Sequence, residues 1–482
     1  MTTDTAQPFF LTGNFAPVVE EVTATDLAVT GAVPDDLAGR FVRNGPNPHT
    51  GVSAHWFVGD GMLHGVELRD GRARWYRNRY VRTRQLDGTG TYVDDEGHVD
   101  LTAVPANTHV ISHGGRILAL VENGLPHEVT PELDTCGPYD FDGRLRTAMT
   151  AHPKLDPGTG ELHFFGYGFA PPYLTYHVAD AAGRLVRSEE ISVPGPTMIH
   201  DFNLTEGHVV FMDLPVVFDL ELAMTGTMPY RWDDSYGARL GVLPRGGTDA
   251  DVRWMEIEPC YVFHPMNAYD ENGTITLDVM RYARLWDRSL DQFDPARLTR
   301  WTIDLGSSSV KDEQLDDRST EFPRVDPRVV GRRHRYGYAL ETVDGIGPEH
   351  MALVKYDQAT GASEVHDFGA GRDPAEPVFV PRAADGAEDD GWVMTYVYDA
   401  ARDTSDFVVL AASDFAAAPV ATVPLPQRVP FGFHGSWAPT TSRNRSARRP
   451  TARTGGRPRR SSTSSRGCGP RARRRRRRAR SS

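Results

Sequence analysis

Apolar residues along this chain come in short bursts. Runs of β-branched and aromatic residues alternate with clusters of Gly, Pro, Asp and Asn, and long helical periodicity is hard to find. HWFVGDGMLHGVEL predicts two strands closed by a tight turn at Asp60-Gly61, and HVISHGGRILALVEN predicts the same form around Gly114-Gly115. LDPGTGELHFFGYGF, DFNLTEGHVVFMDL, NAYDENGTITLDVM and VKYDQATGASEVHDF repeat it. A hairpin every few dozen residues, without a clean sequence repeat, reads as all-β and too long for a simple sandwich. A β-propeller is the natural architecture for many successive antiparallel units in one chain. Two stretches, VVFDLELAMTGTMPYRWDDSYGARLG and ARLWDRSLDQFDPARL, read as helical or irregular insertions. No Pro/Ser-rich linker divides residues 1–439, which are expected to form one domain.

Charge changes the picture at one point only. The formal net charge is −12, but 17 of the 53 basic residues are arginines after Pro439, where no acid occurs. The remaining 36 basic residues face all 65 acids, which leaves residues 1–439 near −29. A body that acidic repels phosphate backbones, so nucleic acid is disfavoured as its partner. The three cysteines (Cys136, Cys260, Cys468) include no Cys-x-x-Cys pair, which argues against thiolate zinc and a disulfide framework and fits a reducing cytoplasm. No signal peptide is visible, and no 18-residue apolar run predicts a membrane-spanning helix.

Four of the 17 histidines sit in apolar or turn-bracketed settings: His152 in TAHPKLDPGTGEL, His200 in GPTMIHDFNLTEG, His264 in CYVFHPMNAYDENG and His434 in VPFGFHGSWAP. Singly, each reads as a satisfied core histidine. Their separations of 48, 64 and 170 residues are one, one and several blades of a propeller built from units of about 40–50 residues. Inner strands face a common axis, so such residues would converge. A ring of neutral imidazoles suits iron, zinc, copper or nickel rather than magnesium or calcium.

The chain resembles the carotenoid cleavage oxygenases, a group that includes apocarotenoid oxygenases and stilbene-cleaving enzymes. RNGPNP (Arg43 to Pro48), HWFVGDGMLHGV, ANTHV, AHPKLDPGTGEL, MIHDFNLTE, FHPMNAYDE, EFPRVDPR, EPVFVPR and GFHGSW carry the resemblance, in order, from about Phe9 to Pro439. It implies a seven-bladed β-propeller with helical or loop insertions capping an axial Fe(2+) held by His152, His200, His264 and His434. It also implies that Glu122, Glu321 and Glu376 orient His200, His264 and His434, leaving His152 without a carboxylate partner. Thr108 matches a threonine lying over the vacant coordination position. The implied activity is cleavage of a polyene C=C bond with O2 into two carbonyl products. Trp56, Phe57, Phe169, Tyr173, Phe263, Phe431 and Phe433 are candidates for lining a channel. Stilbene-cleaving members carry a lysine immediately before the first glutamate. Val121 stands there and cannot bind a phenol, which favours a carotenoid or apocarotenoid. Residues 215–232 are the candidate for peripheral membrane contact.

Residues 440–482 lack the apolar content for a core and are expected to be disordered. Their Arg, Ser, Pro and Gly composition resembles GC-rich coding sequence read in a shifted frame, so a non-native ending is one reading. A polyanion-binding arm on a catalytically silent propeller is another, and a retinoid-ester isomerase is a third function within the same resemblance.

Overall fold

The computed structural model describes residues 7–287, 289–290, 293–343 and 350–440. The arginine-rich stretch therefore lies outside the described residues, apart from Thr440. Among those described, strands dominate and one five-residue α-helix, Leu220–Met224, occurs.

Seven antiparallel sheets follow one another, each a blade. Blades 2 to 6 are plain four-stranded meanders or close variants. In order they begin with the strands His109–His113, Lys154–Leu155, Phe202–Leu204, Tyr261–Glu271 and Ser319–Arg324. Blades 7 and 1 are built from both ends of the domain. Gly435–Pro439 arrives after blade 7 yet pairs with Gly39–Pro46 of blade 1, and Thr30–Gly31 pairs with Ala421–Pro424 of blade 7. This interlock closes the ring and leaves no long edge strand open where it meets.

Burial explains the patterning. Tyr261–Tyr269, in the first strand of its blade, and Gly61–Leu68, in the middle of another, are buried at every position, because neighbouring blades cover both faces of these strands. Outer strands such as Leu185–Glu190 and Ser309–Gln314 alternate or face water.

Most hairpins lie where the sequence predicts them, with one shifted. Asp60-Gly61 closes no hairpin: Trp56–Val58 is a 3₁₀ turn, and Gly61–Arg69 instead pairs with Arg72–Tyr80 across Asp70-Gly71. Gly61 is required for another reason. A Cβ there would meet the Ala106 carbonyl oxygen at 2.4 Å. The insertion after Val216 forms a two-stranded ribbon, Val216–Phe218 with Tyr230–Trp232, carrying the short helix at its tip. Of the two cysteines among the described residues, Cys260 is a buried free thiol.

Candidate metal centre

The inner strands lose their regularity where candidate site residues lie. His152 and His200 each precede an inner strand by two residues, and His434 immediately precedes Gly435–Pro439. His264 sits in a register shift between Val262 and Pro265, and Glu321 at another between Glu321 and Arg324, beside Phe322 at φ 52°. Glu376 fills the gap between Arg372–Pro374 and Val378–Pro381. A regular strand sends alternate side chains to opposite faces, into the neighbouring blades. A break or bulge re-aims one toward the axis.

The result is a cluster of four buried imidazoles, His152, His200, His264 and His434, whose ligand atoms all lie within 4.8 Å of one another. Three back onto carboxylates. His264 Nδ1 is 2.5 Å from Glu321 Oε2, and His434 Nδ1 is 2.8 Å from Glu376 Oε1. His200 Nδ1 is 2.5 Å from Glu122 Oε1, off the line of a straight hydrogen bond. A carboxylate partner fixes the proton on Nδ1 and leaves the Nε2 lone pair free. His200 Nε2 and His264 Nε2 then face each other at 3.2 Å, and His152 Nε2 is buried with no partner. Opposed lone pairs repel and an orphaned buried nitrogen costs about 1–3 kcal/mol, unless a cation sits among them. Burial, then the neighbouring imidazoles, holds the pKa of His152 and His434 well below the ordinary histidine value, so both are neutral, as metal binding requires. The donor set fits a borderline transition-metal ion.

Around the carboxylates lies a polar layer that sequence reasoning missed. Tyr167 donates to Glu122 Oε2 at 2.6 Å and Tyr282 to Glu321 Oε1 at 2.9 Å. Burial, then those carboxylates, raises both phenols well above their usual pKa and keeps them donors. Glu376 instead faces a cation: Arg324 grips it with Nε at 2.8 Å and Nη2 at 3.1 Å. His152, expected to lack a carboxylate, has Asp201 Oδ2 3.7 Å from its Nδ1. Asp201 is paired with Lys154, and burial pushes its carboxyl pKa up against the pull of that ammonium. The signals were present in the sequence as MIHDF, AHPK and EFPR, next to the candidate histidines and Glu321, but adjacency alone assigns no contact.

Thr108 lies beside His434: its carbonyl accepts from His434 N at 3.1 Å, and its hydroxyl donates to Asn107 Oδ1 at 3.0 Å. Val121 is buried. Five of the seven aromatic candidates, Trp56, Phe57, Phe263, Phe431 and Phe433, form one connected wall, and Phe263 packs on His200 at 4.9 Å. Phe169 stands apart, stacked on Phe218 of the ribbon at 5.2 Å, and Tyr173 is half-buried. A second convergence, Asp156, Glu161 and His163, already contains a cation, because Arg245 reaches Asp156 at 2.8 Å and His163 Nε2 at 2.7 Å.

Residues 15–439 match the family model described as retinal pigment epithelial membrane protein. A carotenoid cleavage oxygenase of Mycobacterium tuberculosis is 44% identical over 493 aligned residues, covering 90% of this chain and 98% of the relative. Among solved structures, the Pseudomonas brassicacearum lignostilbene dioxygenase superposes with a TM-score of 0.82 at 32% identity, over 90% of this chain and 99% of the other. Cobalt-substituted Synechocystis ACO gives 0.79 at 29%, over 88% and 97%. With its seven blades and the match across nearly the whole propeller, the chain belongs to the carotenoid cleavage oxygenase family.

Proposed function

We propose that the protein is a non-haem Fe(II) dioxygenase that cleaves a C=C bond of a carotenoid or apocarotenoid, with each product carbonyl taking one atom of O2. The observation that carries this is the buried quartet of neutral imidazoles with carboxylates behind it. His152, His200, His264 and His434 would hold the iron, and Glu122, Glu321 and Glu376 would orient three of them. Iron(II) supplies the electron density that triplet dioxygen needs to react with a closed-shell alkene. The chain supplies the rest. The carboxylates fix the Nδ1 protons, the blades exclude water, and the Trp56–Phe57–Phe263–Phe431–Phe433 wall offers a polyene an apolar bed. Thr108, next to His434, would restrict access to one coordination position.

Val121 favours a polyene over a hydroxystilbene, since a buried isopropyl group leaves a phenol oxygen unpaired. Residues 1–439 would form the carotenoid-oxygenase-like β-propeller domain. The ribbon at 216–232 presents Leu220 and Met224 at 67% and 81% exposure, which supports peripheral docking on the membrane where polyenes dissolve. No helix among the described residues is long and apolar enough to cross a membrane.

The test is incubation of iron-loaded protein with carotenoids, apocarotenals and hydroxystilbenes under ¹⁸O₂. Labelled aldehydes from a polyene support the proposal. Turnover of hydroxystilbenes alone refutes the substrate class, and unlabelled isomers point to an isomerase.

A further inference from the structure

Each buried ligand nitrogen must be fixed in its tautomer by something on its far side. The family resemblance assigned His152 no carboxylate, and its Nε2 is buried without a partner. The tautomer that leaves this Nε2 lone pair free carries its proton on Nδ1, and the carboxylate oxygen nearest that atom is Asp201 Oδ2 at 3.7 Å. Asp201 is itself held in place. Lys154 Nζ contacts Oδ1 at 2.7 Å and Oδ2 at 2.9 Å, and Phe202 N donates to Oδ1 at 2.6 Å. The Asp201 side chain is 3% exposed and that of Lys154 is 20% exposed. Both grow from the elements that present ligands: Asp201 follows His200, and Lys154 opens the strand two residues after His152.

We infer that Asp201, anchored by Lys154, is the positioning carboxylate of the fourth histidine, so that all four imidazoles are backed by an anion. The inference rests on the reading of the four histidines as metal ligands. The 3.7 Å gap is longer than a hydrogen bond, so Asp201 acts through its charge, or through a small closure when His152 takes up a metal. The carboxylate favours the Nδ1–H tautomer and strengthens Nε2 as a donor. Lys154 keeps the carboxylate where it is and limits the cost of burying it. The pair divides the ring in two. His434 and His152 are backed by carboxylates that meet a cation (Arg324, Lys154), whereas His200 and His264 are backed by carboxylates that meet a phenol (Tyr167, Tyr282).

The experiment is Co²⁺ titration of metal-free full-length protein against a chelator, read by affinity and by the cobalt d–d bands, with apo-protein melting followed alongside. Wild-type protein binding one Co²⁺ with imidazole-type bands upholds the parent reading, and its failure to bind overturns that reading rather than this one. Asp201→Asn is expected to weaken cobalt by about 10- to 100-fold and to shift the bands. Lys154→Met removes the anchor but keeps the carboxylate, and is expected to weaken cobalt less than Asp201→Asn does. Wild-type affinity and bands in D201N, or equal losses in D201N and K154M, would overturn the inference. Should D201N not fold, Asp201→Glu replaces it: a carboxylate of different reach must shift the bands, and unshifted bands overturn the inference.

Discussion

The two halves of the histidine ring reach the same end by different means. On the side of His200 and His264, Glu122 and Glu321 receive neutral phenols from Tyr167 and Tyr282. On the side of His434, Glu376 receives a bidentate guanidinium. A phenol leaves the carboxylate its full negative charge to share with the imidazole, while a cation draws part of it away. The halves also differ in what their loss costs. Removing a phenol deletes one hydrogen bond, but removing Arg324 strands a carboxylate that is 3% exposed.

Replacing one ligand ring, as in His264→Ala or His434→Ala, is expected to abolish metal binding and turnover in either half, by metal analysis and product chromatography. The halves should separate at the next layer. Arg324→Met leaves Glu376 buried without its cation, bonded only to His434 and Gly435 N, a loss of about 3–5 kcal/mol, and is expected to lower the denaturation midpoint markedly. Tyr167→Phe and Tyr282→Phe each remove one charge-assisted bond, about 1.5–3 kcal/mol, and should melt later than R324M. Equal midpoints for R324M and Y282F would break the comparison.

Acid sharpens it from another side. Burial holds His127, His177 and His334 at about 4, and His152 and His434 well below the ordinary value. Below about pH 6.5 the unfolded chain binds protons that the folded one refuses, so stability is full above that pH and falls as pH drops through it. Apo-protein melting from pH 8 to 5 should show this decline, and bound metal, whose imidazole ligands refuse protons as well, should not remove it. The smallest effect on stability is expected at the ribbon. Leu220→Asp with Met224→Asp should change folding by no more than about 0.5 kcal/mol while reducing co-sedimentation with neutral phospholipid vesicles.

These contrasts also show what the chain displays in one dimension. Turn chemistry announced the hairpins at Gly114-Gly115 and Asn272-Gly273, because a two-residue loop is a local problem. It misplaced the one at Asp60-Gly61, where glycine answers a close approach of Ala106 that is remote in sequence. The four histidines were visible through their apolar settings and the family resemblance. The layer behind them was not. Tyr167 and Tyr282 look like ordinary strand residues, and Arg324 and Asp201 like surface charges. Only packing of one blade against the next brings them within reach of a carboxylate or an imidazole.

The most direct test of the account is anaerobic Fe(II) titration of the apo-protein, comparing the wild-type chain with the four single His→Ala variants at 152, 200, 264 and 434. One tightly bound iron per wild-type chain, lost or greatly weakened in every variant, is the result predicted here. Iron retained undiminished after removal of any one of these rings, or no stoichiometric binding by the wild-type chain, would contradict it.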